Sequence, residues 1–200
     1  MSAVAQSSSP AWSGDPAVLG LPVFVVGSIS LGLALTGYVP PAAAASALPI
    51  ILMATGLGLL ISALWAAALG QSMVACIFGV FAAFWLSYSV LVLGLNHDWF
   101  KIPAADVVDS IALFQLSWAI AMGMLTIATL KLPAAFTAIA GLVVVALIML
   151  VIATKNADAD LTKAAGYVVF AFAAIGVYAF LGAASAASGG KGYPLGPSML

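Results

Sequence analysis

Apolar residues in this chain do not alternate with polar ones on the scale of a helical turn or a pleat. They come in long blocks, cut by short clusters of Gly, Pro and charge. The first block runs from about Val18 to Tyr38 and stops at Pro40-Pro41. The second runs from about Ser46 to Leu69 and breaks at Gly70-Gln71. The third runs from about Ser72 to Leu95 and ends at NHDWFK. The fourth runs from about Val107 to Leu130 and ends at Lys131. The fifth starts at Pro133, a favoured first-turn residue, and ends near Thr154, before KNADADLTK. The sixth runs from about Leu161 to Ala187. Each block has roughly the 20 apolar residues a helix needs to cross a bilayer. The pattern predicts an all-α integral membrane protein, with six transmembrane helices in a compact bundle over residues 16–187. Short connections make successive helices antiparallel neighbours. Residues 1–15 (MSAVAQSSSPAWSGD) read as a disordered tail without the basic start of a secretory signal. In that tail Trp12 is suited to anchor at the interface. Residues 188–200 are rich in Gly and Pro and read as an irregular tail.

Composition sharpens this picture. The chain is 65% hydrophobic and only 6% charged, against about a quarter charged in soluble domains. Such a chain has no way to cover a water-facing surface. It contains no Arg and no Glu, only six Asp and five Lys among 200 residues. Nucleic acid is excluded as a partner, because that needs a basic stripe. Cys76 is alone, so no disulfide within the chain is possible. Lysines do not orient the bundle: Lys131 and Lys191 fall on one side, Lys101, Lys155 and Lys163 on the other.

Candidate chemistry is defined first by what the spans lack. No Asp, Glu, Lys or Arg lies between Asp15 and Asp98, and none lies in the central turns of the later spans. Intramembrane ionisable groups mark proton relays and ion sites, so a pump with a buried carboxylate switch is not expected. No metal-ligand spacing, phosphate loop or catalytic triad is present, so no cofactor, metal or enzyme activity is expected. His97 reads as an interfacial residue. Asp106 and Asp109 read as acids complementing a helix N-terminus. The remaining polarity is made of hydroxyls and amides: Ser28, Ser30, Thr55, Ser62, Ser87, Tyr88, Ser89, Gln115, Ser117, Thr126 and Thr137. A helical hydroxyl most often bonds back to its own carbonyl. Gln115 is costlier to bury and needs a partner. Ser28/Gly32, Ala54/Gly58 and Ala119/Gly123 are small pairs four residues apart, which allow close helix approach or leave room for a narrow path.

The stretch SGDPAVLGLPVF opens the first span. Asp15 can cap the following amides, and Pro16 is harmless in a first turn. Pro22 removes a backbone bond inside the helix, which membrane helices tolerate beside a cavity. DPAVLGLPVF also resembles the N-P-A-P-L-G-L signature of the acetate uptake transporter family, that of the bacterial succinate–acetate transporter and its yeast acetate and ammonia relatives. GQSMVACIFGVFAAFWLS, LFQLSWAIAMGMLTIATLK, AAGYVVFAFAAIGVYAFLGAA and YPLGP resemble further family stretches, in order, over nearly the whole chain. The departures are Asp15 for Asn, Val18 for Pro, Gly70-Gln71-Ser72 for G-N-T, and Ala66 where a Glu is usual. The last removes a proton-titrating group.

This resemblance implies a homo-hexamer in which each protomer holds its own path with a hydrophobic constriction. By motif position Phe24 and Phe81 match two constriction residues, and Leu142 is taken as the third, with its register loose by a residue or two. Asp15, Pro16, Leu19 and Gly20 match the motif at the mouth. Gln71, Ser72 and Gln115 are candidate polar lining. The implied function is transport of acetate and related small monocarboxylates, with succinate a further candidate, in a cell inner or plasma membrane. The alternatives are a channel for a neutral solute such as ammonia and a membrane subunit that transports nothing.

Overall fold

The computed structural model describes residues 13–200, so most of the expected N-terminal tail, Trp12 included, lies outside the described residues. Within them the helices are α1 (Ala17–Thr36), α2 (Leu57–Ala68), α3 (Ser72–Asn96), α4 (Val107–Ala128), α5 (Ala134–Asn156) and α6 (Ala159–Ala187). With the turns that precede α2 and α4, they make six helices long and apolar enough to cross a membrane.

α1 begins as its sequence suggests. The Asp15 carboxylate accepts the Ala17 N–H at 2.9 Å, and Pro16 is fully buried beneath it. The helix continues through Pro22, which leaves the Val18 carbonyl without its helical donor. It stops at Gly37, whose φ of 83° is one that glycine adopts without strain.

The second span differs from the continuous α-helix expected from Ser46. It opens as a 3₁₀ stretch, Pro41–Ala47, passes Pro49, and widens into a π-helical turn, Ile50–Gly56, before α2. Pro49 withholds an amide from the ladder just where the turn widens. From that widened turn the Thr55 hydroxyl donates 2.8 Å to the Val23 carbonyl of α1. A side chain therefore joins the two spans where both backbones are irregular.

The helices form a ring in chain order. α1 packs on the second span, that span on α3, α4 on α5, and α5 on α6; α6 returns to α1 and closes the circle. The closing contact is the most extensive and depends on missing side chains. A Cβ on Gly166 would lie 2.8 Å from the Thr36 methyl and 3.3 Å from the Gly32 carbonyl; one on Gly32 would strike the Phe170 ring at 2.6 Å. Gly58 similarly admits Val23. Gly123, expected at a close approach, faces open space. The loosest seam is α3 against α4. Aromatic side chains bridge it, with Phe84 edge-on to Trp118 at 5.4 Å and tilted over Phe114 at 6.0 Å.

α1, α3 and α5 start at the face carrying Asp15, and the other spans run back to it. Charge is confined to the two faces, with Asp98–Lys101 and Asp109–Lys155 paired at the far one. Residues 188–200 form no regular element, yet they are tied down. Pro197 and Leu195 carbonyls accept the Ala134 and Ala135 N–H groups at 3.0 Å each, and Met199 N–H donates to Leu130. Tyr178 donates to the Pro194 carbonyl. The strap thus satisfies amides that the first turn of α5 would otherwise leave open.

Closure through glycine predicts a contrast between two substitutions. Gly166→Leu should destabilise the purified protein by about 1–3 kcal/mol through overpacking. Gly123→Ala should be neutral or stabilising by up to about 1 kcal/mol. Thermal unfolding in detergent checks both, and equal shifts would contradict this account of the α1–α6 contact.

Candidate functional site: a chain of cavities along the ring axis

Inside the ring three cavities follow one another. A deep cavity of about 420 Å³ lies toward the His97 face. A chamber of about 30 Å³ follows. A vestibule of about 400 Å³ lies at the Asp15 face. Their order is written on each helix. Along α1, Leu21 borders vestibule and chamber, Phe24 borders chamber and deep cavity, and Leu31 lies in the deep cavity. Along α3 the same order runs Val74, Phe78, Phe81, Tyr88, and along α5 it runs Phe136, Ala140, Val143. Antiparallel α4 reverses it, from Leu132 through Leu125 to Gln115. A side cavity of about 460 Å³ between α1 and the 3₁₀ stretch meets the deep one at Tyr88, Val92 and Asn96.

Phe24 and Phe81 divide the deep cavity from the chamber. Their rings meet edge to face at 5.1 Å, and Phe172 of α6 lies 5.8 Å from Phe24. All three are at least 95% buried, with exposures of 3%, 4% and 3%. Phe24 and Phe172 sit on the tightly packed α1–α6 side of the ring, and Phe81 faces them from α3.

Comparison with known proteins bears on this geometry. A profile for the GPR1/FUN34/yaaH family matches residues 2–193. The chain belongs to the GPR1/FUN34/yaaH family. The bacterial acetate channel SatP superposes with a TM-score of 0.80 at 20% identity, over 92% of this chain and 99% of that one. At that identity the likeness concerns the fold. No curated protein gives a significant sequence match.

This GPR1/FUN34/yaaH protein does not bring every expected site residue to the axis. Phe24 and Phe81 stand at the pinch, and Asp15 lines the vestibule. Gly20 is buried against Phe78, where its missing Cβ would fall 2.4 Å from Phe78 Cζ. Pro16 and Leu19 pack in the wall and line none of these cavities. Leu142 is half-buried beside the core, while its neighbour Val143 lines the deep cavity. Gln71 precedes α3 and Ser72 is its first residue, half-buried and exposed respectively, and neither lines these cavities. Gln115 does line the deep cavity.

Most hydroxyls in the spans are occupied by their own helices. Ser28, Ser62 and Ser89 donate to Phe24, Gly58 and Trp85 carbonyls, and Thr126 donates to Met122. Thr137 reaches instead to Thr129 on α4. The polar groups left beside the deep cavity are Tyr88, Asn96, the Trp85 indole and the Gln115 amide. Trp85 Nε1 and Gln115 Oε1 are buried without a hydrogen-bond partner among the described residues. One is a donor and the other an acceptor. Trp85 and Phe172 were missed at the sequence level, because a tryptophan or phenylalanine inside an apolar block looks like core. For Trp85 the available signal was the Phe84-Trp85 pair within GQSMVACIFGVFAAFWLS.

An unpaired buried polar atom lowers stability. Gln115→Leu should therefore leave the protein as stable as before or up to about 1 kcal/mol more so. Melting in detergent tests this, and a clear loss would mean that the amide already has a partner.

Proposed function

We propose that the protein passes acetate and similarly small monocarboxylates through the axis of each protomer, in a cell inner or plasma membrane. The observation that carries this reading is the line of cavities, pinched by Phe24 and Phe81, with no Asp, Glu, Lys, Arg or His lining the deep cavity or the chamber. Family membership and the likeness to an acetate channel support it. Succinate, with two carboxylates, fits an apolar pinch less well than acetate does. The hexamer implied by the family resemblance belongs to this reading as an assembly of independent paths, since one ring already encloses a complete line of cavities.

The physical case rests on desolvation. A bare carboxylate in an apolar passage costs many kcal/mol, and protonation removes most of that penalty. No side chain at the pinch can deliver or take the proton, so it travels on the solute. Trp85 N–H, Gln115 and Tyr88 replace part of the solute's hydration in the deep cavity before it enters the pinch. Binding of this kind is weak enough for release.

Uptake of labelled acetate by proteoliposomes tests the proposal. Saturable, competitor-sensitive uptake that rises as external pH falls is the expected result. Flux driven by the acetate gradient and unchanged by an uncoupler at fixed internal pH indicates a passive channel. Accumulation against the acetate gradient that needs inward protons indicates symport. Ammonia flux insensitive to carboxylates, or no selective flux, would sink the acetate reading. Within it, Phe24→Ala and Phe81→Ala should each raise the butyrate-to-acetate flux ratio by about two- to tenfold. Gln115→Leu should slow acetate uptake despite its undiminished stability.

A further inference from the structure

The chamber is lined almost wholly by buried side chains. Toward the deep cavity it is bounded by Phe24 and Phe81; toward the vestibule it is bounded by Leu21, Ile77, Phe78 and Phe136, which line both spaces. The two boundaries repeat one another. Leu21 and Phe24 on α1, and Phe78 and Phe81 on α3, are three residues apart on helices that run in the same direction; on α5, Phe136 is followed three residues on by Ile139, which lines the chamber alone. Three residues rise about 4.5 Å, so two apolar layers stand roughly one turn apart. Leu21, Ile77 and Phe78 are buried, at 5%, 9% and 5% exposure. Phe78 is also held in place from behind. Its ring lies over Gly20, and any larger residue there would collide with it.

We propose that Leu21, Ile77, Phe78 and Phe136 form a second apolar gate in series with the Phe24–Phe81 pinch. The protein then works as an airlock, in which a solute reaches the chamber only while one layer parts. This deepens the transport reading and rests on it for the claim that a solute crosses. The chamber's 30 Å³ is far smaller than the cavities of about 420 and 400 Å³ on either side of it. A solute therefore has least room between the two layers. Each crossing requires movement of Phe78 or its neighbours as well as of Phe81. Two layers also break any continuous file of water through the ring, so protons do not leak alongside the solute.

Series barriers have a recognisable behaviour. Removing one leaves the other limiting, so Phe78→Ala and Phe81→Ala should each shift size selectivity modestly, and the double variant should shift it well beyond either. The decisive experiment does not depend on flux. In a Cys76→Ala background, Ala140→Cys places a thiol in the chamber, where Ala140 is 2% exposed. Methanethiosulfonate ethylsulfonate is applied to the purified protein in detergent, and denatured protein gives the full extent of labelling. With both layers intact, labelling should be slow. Phe81→Ala should speed it by about tenfold or more, and so should Phe78→Ala or Phe136→Ala, since each removes an opening step that protects the thiol. In vesicles of uniform orientation the Phe81 and Phe78 variants should admit the reagent from opposite sides. Fast labelling with both layers intact overturns the proposal. So does an unchanged rate in both Phe78→Ala and Phe136→Ala. A protected chamber in a protein that fails to move acetate would sink the transport reading and leave the two gates standing.

Discussion

The return of α6 onto α1 is the contact on which the rest depends. Without it the chain is a row of antiparallel helices; with it the row becomes a ring with an inside. Lipid tails are as apolar as leucine, so no hydrophobic force drives this closure, and it must come from dense packing. The glycines provide that density. Gly166 brings α6 against the Gly32 turn of α1, and Gly176 seats the helix on Val25 next to Phe24. The same contact that closes the ring therefore fixes Phe24 and Phe172 at the pinch. The opposite seam, α3 against α4, has no comparable backbone approach and is filled by aromatic rings. Rings can turn where backbones cannot approach, so this side is where the inside of the ring has freedom to change shape.

An enclosed space inside a membrane protein is wet or dry according to the groups that face it. Here the spans contain many hydroxyls, but helical geometry takes most of them back. Ser28, Ser62 and Ser89 are each spent on a carbonyl one turn earlier. Thr55 and Thr137 are spent on neighbouring backbone. The polar residue count of the sequence therefore overstates the polarity of the path. What remains is concentrated in the deep cavity, at Trp85, Tyr88, Asn96 and Gln115. The chamber has Thr129 alone, and that hydroxyl is already bonded to the Thr126 carbonyl. A solute coming from the His97 face thus meets hydrogen-bonding groups first and bare hydrocarbon afterwards, and one coming from the Asp15 face meets them in the reverse order.

The six spans were legible because block hydropathy is a property of the sequence itself. Asp15 capping α1 was legible for the same reason, being local. Features that depend on three-dimensional register were not. Leu142 and Val143 are both aliphatic in an aliphatic block, and only the rotation of α5 decides which one faces the cavity. The π-helical turn at Ile50–Gly56 arises from the pull of Thr55 toward Val23 as much as from Pro49, and that partner lies on another helix. The tail YPLGP looks like linker by composition. It is ordered because α5 starts with free amides that its carbonyls can reach. Gln71 and Ser72 align with a family stretch, yet the chain places them at the very start of α3, away from the cavities.

Asp15 sets the charge at the mouth, and its sign runs against a simple anion path. Each helix carries about half a positive charge at its N-terminus and half a negative one at its C-terminus. At the vestibule face three N-termini alternate with three C-termini around the ring, so these fields largely cancel. The Asp15 carboxylate is offset locally by the Ala17 N–H it accepts, but a full charge is not neutralised by half of one. Lys131 and Lys191 are exposed and line none of the cavities. On the proposed reading, an anion approaching this mouth meets the Asp15 carboxylate at the rim, to which the protonated acid is indifferent. Beyond the mouth the apolar layers discriminate in the same direction through desolvation. Charge at the rim and hydrocarbon at the gates thus favour the same species. On the proposed reading, the Asp at the position of the family Asn reinforces passage of the neutral acid, with the proton carried by the solute.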